Sequence, residues 1–158
     1  MVNNPWLGRF YLLPKIHKRL NSVPERPVIT NCGFFTENIS EFWDFHLQPL
    51  AKKVKSYIKD TNHFLQKIHN LGEVPEDAIL CTVDVVGLYP SIPHEEGLEA
   101  LREALERRED KAISTNSLTE LAHLVLKNNF FEFNGDFYQQ LRGTAISTKC
   151  APCYAILF

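Results

Sequence analysis

A chain of 158 residues with 44% hydrophobic and 23% charged side chains has the size and balance of one soluble domain, which excludes a disordered, collagen-like or disulfide-stapled chain. No apolar stretch reaches the roughly 20 residues of a membrane span. The formal net charge of −2 hides a division: residues 1–29 and 51–71 each carry five bases against one acid, whereas residues 72–120 carry four bases against twelve acids. In chain order, 9–13 and 26–30 read as short strands joined by a basic loop holding Pro14 and Pro24. From Thr36, a plausible N-cap, Ile39, Phe42, Trp43 and Leu47 fall on one helical stripe that Pro49 is expected to break or kink. A helix over 61–70 is capped by Asp60 and ended by Gly72. The apolar run 78–84 suits a buried strand, and helices follow at about 95–108 and 118–127, the latter opened by Ser117 with Glu120 in a capping box. Asn134-Gly135 between two aromatic runs predicts a two-residue hairpin across 130–139.

The opening Met1-Val2-Asn3-Asn4-Pro5-Trp6 lacks the blocks of a secretory signal, so the chain is expected inside the cell with its four cysteines reduced. The last eight residues, Ala151 to Phe158, carry no charge and read as an element cut through its buried part. With that element, Ile79, Leu80 and Val83 are expected to expose an apolar patch together with Tyr154, Ile156, Leu157 and Phe158.

The two basic stretches have two readings. Lysines on one helix face commonly serve only to solvate it; alternatively they form a local positive surface for nucleic acid, which needs no high global pI. Asp84 closes the apolar run with no base within ten residues, so its carboxylate must find a partner or a cation. The turn Val85 to His94, stiffened by Pro90 and Pro93, could present Asp84 to a metal at a sheet edge, or Asp84 could simply cap that turn. Cys150-Ala151-Pro152-Cys153 has the spacing of a zinc or redox pair, but no second Cys/His pair accompanies it and the chain ends five residues later. The six histidines are scattered, and no Walker-type phosphate loop is present.

Asp84-x-x-x-x-Tyr89 after an apolar run resembles the first catalytic motif of reverse transcriptases. Phe10 to Lys18, Arg26 to Ile29, Thr36 to Phe42 and Asp84 to Glu96 together resemble the enzyme of Penelope-like retroelements, which is related to telomerase-type reverse transcriptases. Gly143-Thr144-Ala145-x-x-Thr148-Lys149-x-Ala151-Pro152 is similar to that family's later loop-and-helix motif, which underlies the template and nascent base pair. The resemblance spans essentially the whole chain in the right order. Departures fall on the loop and helix: Arg142 stands where the family has glutamine, Ser147 where glycine is usual, Cys150 where methionine is usual and Ile156 where asparagine is usual.

What the resemblance implies is an α+β fold, the fingers and an incomplete palm of a right-hand polymerase, without the catalytic Asp-Asp hairpin and thumb. The whole of 1–158 would be one partial domain, fingers-like to about residue 75 and partial palm with inserted helices from about 76. Asp84 would ligate Mg²⁺ with the backbone carbonyl of Val85. Tyr89 would be the steric gate against a ribonucleotide 2′-hydroxyl, with Gly143 in the nucleotide-binding loop. Lys15 and Arg26 would reach the triphosphate, and an arginine fork suits phosphate oxygens. Lys18, Arg19, Lys52, Lys53 and Lys55 would hold nucleic acid. The expected partners are an RNA template, a DNA primer and deoxynucleoside triphosphates, with no membrane, and a functional chain would work in the nucleus.

Two-metal phosphoryl transfer needs several carboxylates, yet no Asp-Asp pair occurs in these residues. The expectation is therefore a polymerase fragment inert by itself, the alternative a non-catalytic nucleic-acid-binding remnant, and the third possibility a relic that never folds stably.

Overall fold

The computed structural model describes residues 6–16 and 23–158. Lys18 and Arg19, two of the expected nucleic-acid contacts, lie outside the described residues. The aromatic and β-branched side chains of the first two apolar runs form the expected ribbon: β1 (Gly8–Pro14) and β2 (Glu25–Thr30) pair antiparallel, with Arg9 opposite Thr30 and Pro14 opposite Glu25. The hairpin forms where Asn134-Gly135 demands it, joining β3 (Phe130–Phe133) to β4 (Asp136–Gln139). Asn134 and Gly135 both adopt positive φ, 54° and 84°, which is the type I′ geometry that matches the twist of the strands. β3 then adds parallel to β1, Gly8 opposite Phe131, giving a mixed four-stranded sheet in the order β2-β1-β3-β4. Phe10, Phe131 and Tyr138 stack across it, with ring centroids 5.9 and 5.5 Å apart.

Among the described residues, six helices complete this α+β architecture. α1 (Glu37–Lys53) buries Trp43, Leu47 and Ala51, one residue per turn on a single stripe. Phe42, expected on that stripe, is exposed at its margin. Pro49 does not end the helix: it sits on the exposed face, and the helix continues to Lys53 with Ala51 buried beyond it. α2 (Thr61–His69) starts as expected, the Asp60 carboxylate accepting from the His63 amide at 2.8 Å, but it buries no side chain.

α3 (Leu88–Ser91) is a single turn, and α4 (His94–Glu106) follows Pro93. α5 (Thr115–Lys127) begins three residues earlier than the sequence suggested. Ser114, not Ser117, is the N-cap, its hydroxyl accepting the Ser117 amide at 3.0 Å; Ser117 belongs to the first turn and the capping box it would open does not form. α6 (Ala151–Leu157) closes the described chain.

The core is helical. α1 packs on α5 and α6, and α4 packs on α5 and α6, around Trp43, Leu47, Leu101, Leu105, Leu118, Leu126 and Tyr154. Residues 78–84 correct the expectation of a buried strand. They run as open backbone without ladder partners, with Leu80 and Val83 each 93% exposed. An apolar run becomes a strand only when a neighbour satisfies its amides and carbonyls, and the four described strands pair with one another elsewhere. The expected apolar patch is accordingly split. Ile79, Leu80, Val83, Ile156 and Phe158 stand exposed, whereas Tyr154 is fully buried and Leu157 packs against the core.

Gly97 makes one of these contacts possible. A Cβ at this position of α4 would collide with the Tyr154 hydroxyl and lie 2.6 Å from Tyr154 Cζ. Gly97→Ala should therefore destabilise by about 1–3 kcal/mol, the usual cost of overpacking, in urea melts of the whole chain. The Tyr154 hydroxyl is itself buried without a hydrogen-bond partner, so Tyr154→Phe should leave the midpoint unchanged or raise it. A loss in Tyr154→Phe comparable to that in Gly97→Ala would contradict the packing described.

Candidate functional site

The site residues divide into three places. The first is the end of the β1–β2 ribbon. Leu13 lies opposite Arg26, and the Lys15 amide donates to the Pro24 carbonyl at 2.9 Å, so the two expected triphosphate contacts share one ribbon end. Arg26 is exposed, Lys15 half-buried, and neither forms an ion pair among the described residues.

The second place is the turn after Asp84. Gly87 adopts φ +62° and begins α3, which carries a half-buried Tyr89. Residues from a distant loop are bonded to this turn: the Gly143 amide donates to the Ile92 carbonyl at 2.8 Å and the Thr144 amide to the Tyr89 carbonyl at 2.9 Å. Gly143 is held at φ +69°, and any Cβ there would strike the Tyr89 carbonyl and the Pro90 backbone. Only glycine tolerates both demands. The structure thus brings Tyr89 and Gly143 together, although 53 residues separate them in sequence.

The Gly143 loop is tied down from its other side by an amide network. Asn31 Nδ2 donates to Asn129 Oδ1 at 2.9 Å, Asn129 Nδ2 to Gln140 Oε1 at 2.6 Å, and Gln140 Nε2 to the Arg142 carbonyl at 2.8 Å. The Ser147 hydroxyl accepts the Asn31 amide at 2.7 Å and donates to the Ile29 carbonyl at 3.3 Å. The end of β2, the start of β3 and the 140–147 loop are thereby one hydrogen-bonded unit. Arg142 itself stays exposed.

Asp84 and Val85 are not gathered into this unit. Both are exposed on open backbone, and among the described residues no group of three or more His, Cys, Asp or Glu side chains converges on a metal position.

The third place is the basic end of α1. Lys52 and Lys53 lie in its last turn and Lys55 just beyond, all exposed. Lys53 reaches Glu109 at 3.3 Å in a solvent-exposed pair worth little in free energy. Lys52 shares an open surface cavity with Lys149, Tyr57, Asp44 and Cys153.

Sequence reasoning missed His94, Asn31, Asn129, Gln140 and Lys149. His94 lies in the 84–96 stretch and Lys149 in the 143–152 motif; the amide network carries no periodic or charge signal. No family model, curated protein or solved structure matches the chain.

Cys150 and Cys153 are both buried at the start of α6. Burial, and then the neighbouring Asp44 carboxylate, pushes the Cys153 thiol up to about 12, and burial likewise raises Cys150. Thiols that stay protonated are poor nucleophiles and poor metal ligands, which leaves the C-x-x-C spacing a packing feature. Because the folded thiols ionise later than unfolded ones near 8.5, their contribution to stability is fully present below that pH and is lost as pH rises toward 12. At neutral pH a thiol reagent should label the exposed Cys32 and Cys81 in the native chain, and Cys150 and Cys153 only after unfolding. Four equally fast thiols in mass-spectrometric labelling would contradict this burial.

Proposed function

We propose that this chain represents the fingers and part of the palm of an RNA-directed DNA polymerase, resembling that of Penelope-like retroelements, and that these 158 residues do not extend a primer by themselves. One observation carries the reading furthest. Tyr89 and Gly143, which the resemblance assigns to the same nucleotide, adjoin through backbone hydrogen bonds although they come from separate motifs.

In this reading the incoming nucleotide lies against the Tyr89 turn and the Gly143 loop. Tyr89 excludes a 2′-hydroxyl, and Lys15 and Arg26 meet the triphosphate from the ribbon. Asp84 and the Val85 carbonyl are the ligands this chain offers to magnesium. Lys52, Lys53 and Lys55 hold the backbone of an RNA template or template–primer hybrid through phosphates, with little sequence preference. A second reading, a non-catalytic nucleic-acid-binding remnant using the same lysines, is favoured by the exposed position of Asp84, with no group of three or more His, Cys, Asp or Glu side chains gathered at a metal position among the described residues.

Titration of the chain with an RNA–DNA hybrid should show affinity that falls roughly tenfold or more as salt rises from low to physiological levels. Lys52→Glu with Lys55→Glu should weaken it further. Binding that is absent at low salt, or indifferent to salt, would sink both readings. To separate them, Lys15→Ala and Arg26→Ala should weaken deoxynucleoside triphosphate binding while leaving hybrid affinity near wild type. If the chain binds hybrid but no triphosphate, the remnant reading stands and the nucleotide site does not. Primer extension by the unaltered chain would overturn the claim that it is inert.

A further inference from the structure

His94 is the first residue of α4 and is only 4% exposed. Its Nε2 lies 2.7 Å from the Gly143 carbonyl oxygen, and its Nδ1 is buried without a partner among the described residues. A carbonyl can only accept, so Nε2 carries the proton and donates. This bond runs beside two backbone pairs, Gly143 to Ile92 and Thr144 to Tyr89. Those two use groups that any residue at the same positions would offer. The third needs a side-chain donor of this length at position 94. It also satisfies the Gly143 carbonyl on the side of the Tyr89 turn, while Gln140 and Ser147 hold the loop from the sheet side.

We propose that His94 is a positioning residue: as its Nε2–H tautomer it pins the Gly143 carbonyl and so holds the 142–144 loop against the turn that carries Tyr89. The proposal rests on the polymerase reading only for the use to which Tyr89 and Gly143 are put. A nucleotide touching both would then meet a surface set before it binds, because supporting bonds already fix the contacting groups. His94 itself touches no substrate. Its effect passes through Gly143.

The test uses the full chain and three readouts. Nitrogen-15 NMR of the His94 ring should show a protonated Nε2 and a bare Nδ1. Hydrogen exchange at the Gly143 and Thr144 amides should speed about tenfold in His94→Leu, the size expected from losing one buried hydrogen bond, with the Leu101 and Leu105 amides unchanged. His94→Gln, which restores a donor of similar reach, should return those two amides to within about twofold of wild type. An Nδ1–H tautomer, unchanged protection in a folded His94→Leu, or no recovery in a folded His94→Gln would each overturn the proposal. If the leucine variant fails to fold, the wild-type tautomer and the glutamine variant still decide. Magnesium–dTTP and magnesium–UTP titrations keep the two claims apart. If wild type binds neither, the nucleotide-site reading fails while the exchange result still judges the pin; if it prefers dTTP, His94→Leu should narrow that preference.

Discussion

A glycine without a side chain, wedged under a tyrosine turn, is the constraint on which the rest of the candidate site depends. Gly143 sits at φ +69° with its Cα so close to the Tyr89 and Pro90 backbone that no larger residue fits. That proximity lets the Gly143 and Thr144 amides reach the Ile92 and Tyr89 carbonyls, and it places the Gly143 carbonyl at the His94 ring. The same loop leads through Cys150 directly into α6, and Cys150, Cys153 and Tyr154 complete the helical core. One close backbone approach therefore links packing to the position of Tyr89.

The amide network acts on the same loop from the sheet side. Asn31, Asn129 and Gln140 sit at element ends, where backbone amides and carbonyls run out of ladder partners. Their side chains connect β2 to the hairpin strands and to Arg142 without adding apolar contact. The four-stranded sheet thus keeps exposed faces, while the helices supply the buried volume. Asp84 lies on neither unit. The open backbone before it has exposed apolar side chains, and the Asp84 carboxylate makes no hydrogen bond or ion pair among the described residues.

Elements with a strong local signal were legible in the sequence. The Asn134-Gly135 turn needs positive φ twice and those residues supply it. Asp60 caps α2 because its carboxylate can reach the His63 amide whatever lies around it. The stripe Ile39, Trp43 and Leu47 marks α1, and the ribbon 9–13 with 26–30 pairs as expected. The errors arise where a local rule depends on something distant. Residues 78–84 have strand composition but no partner among the described residues; Pro49 lies inside a helix that runs on to Lys53; Ser117 looks like a cap until Ser114 takes that role. At the site, Tyr89 and Gly143 could be named through a resemblance, but their adjacency, and the part His94 plays, arise from a long-range fold that no spacing encodes.

The most direct measurement of this account is the structure of Gly143→Ala in solution. In wild type the Thr144 amide should show a nuclear Overhauser contact to the Tyr89–Pro90 segment. In Gly143→Ala that contact should vanish and the Thr144 amide should exchange freely, since both the positive φ and the missing Cβ are required there. A variant that keeps the contact and the wild-type denaturation midpoint would show that the loop does not depend on the glycine, and would contradict the clamp on which the account is built.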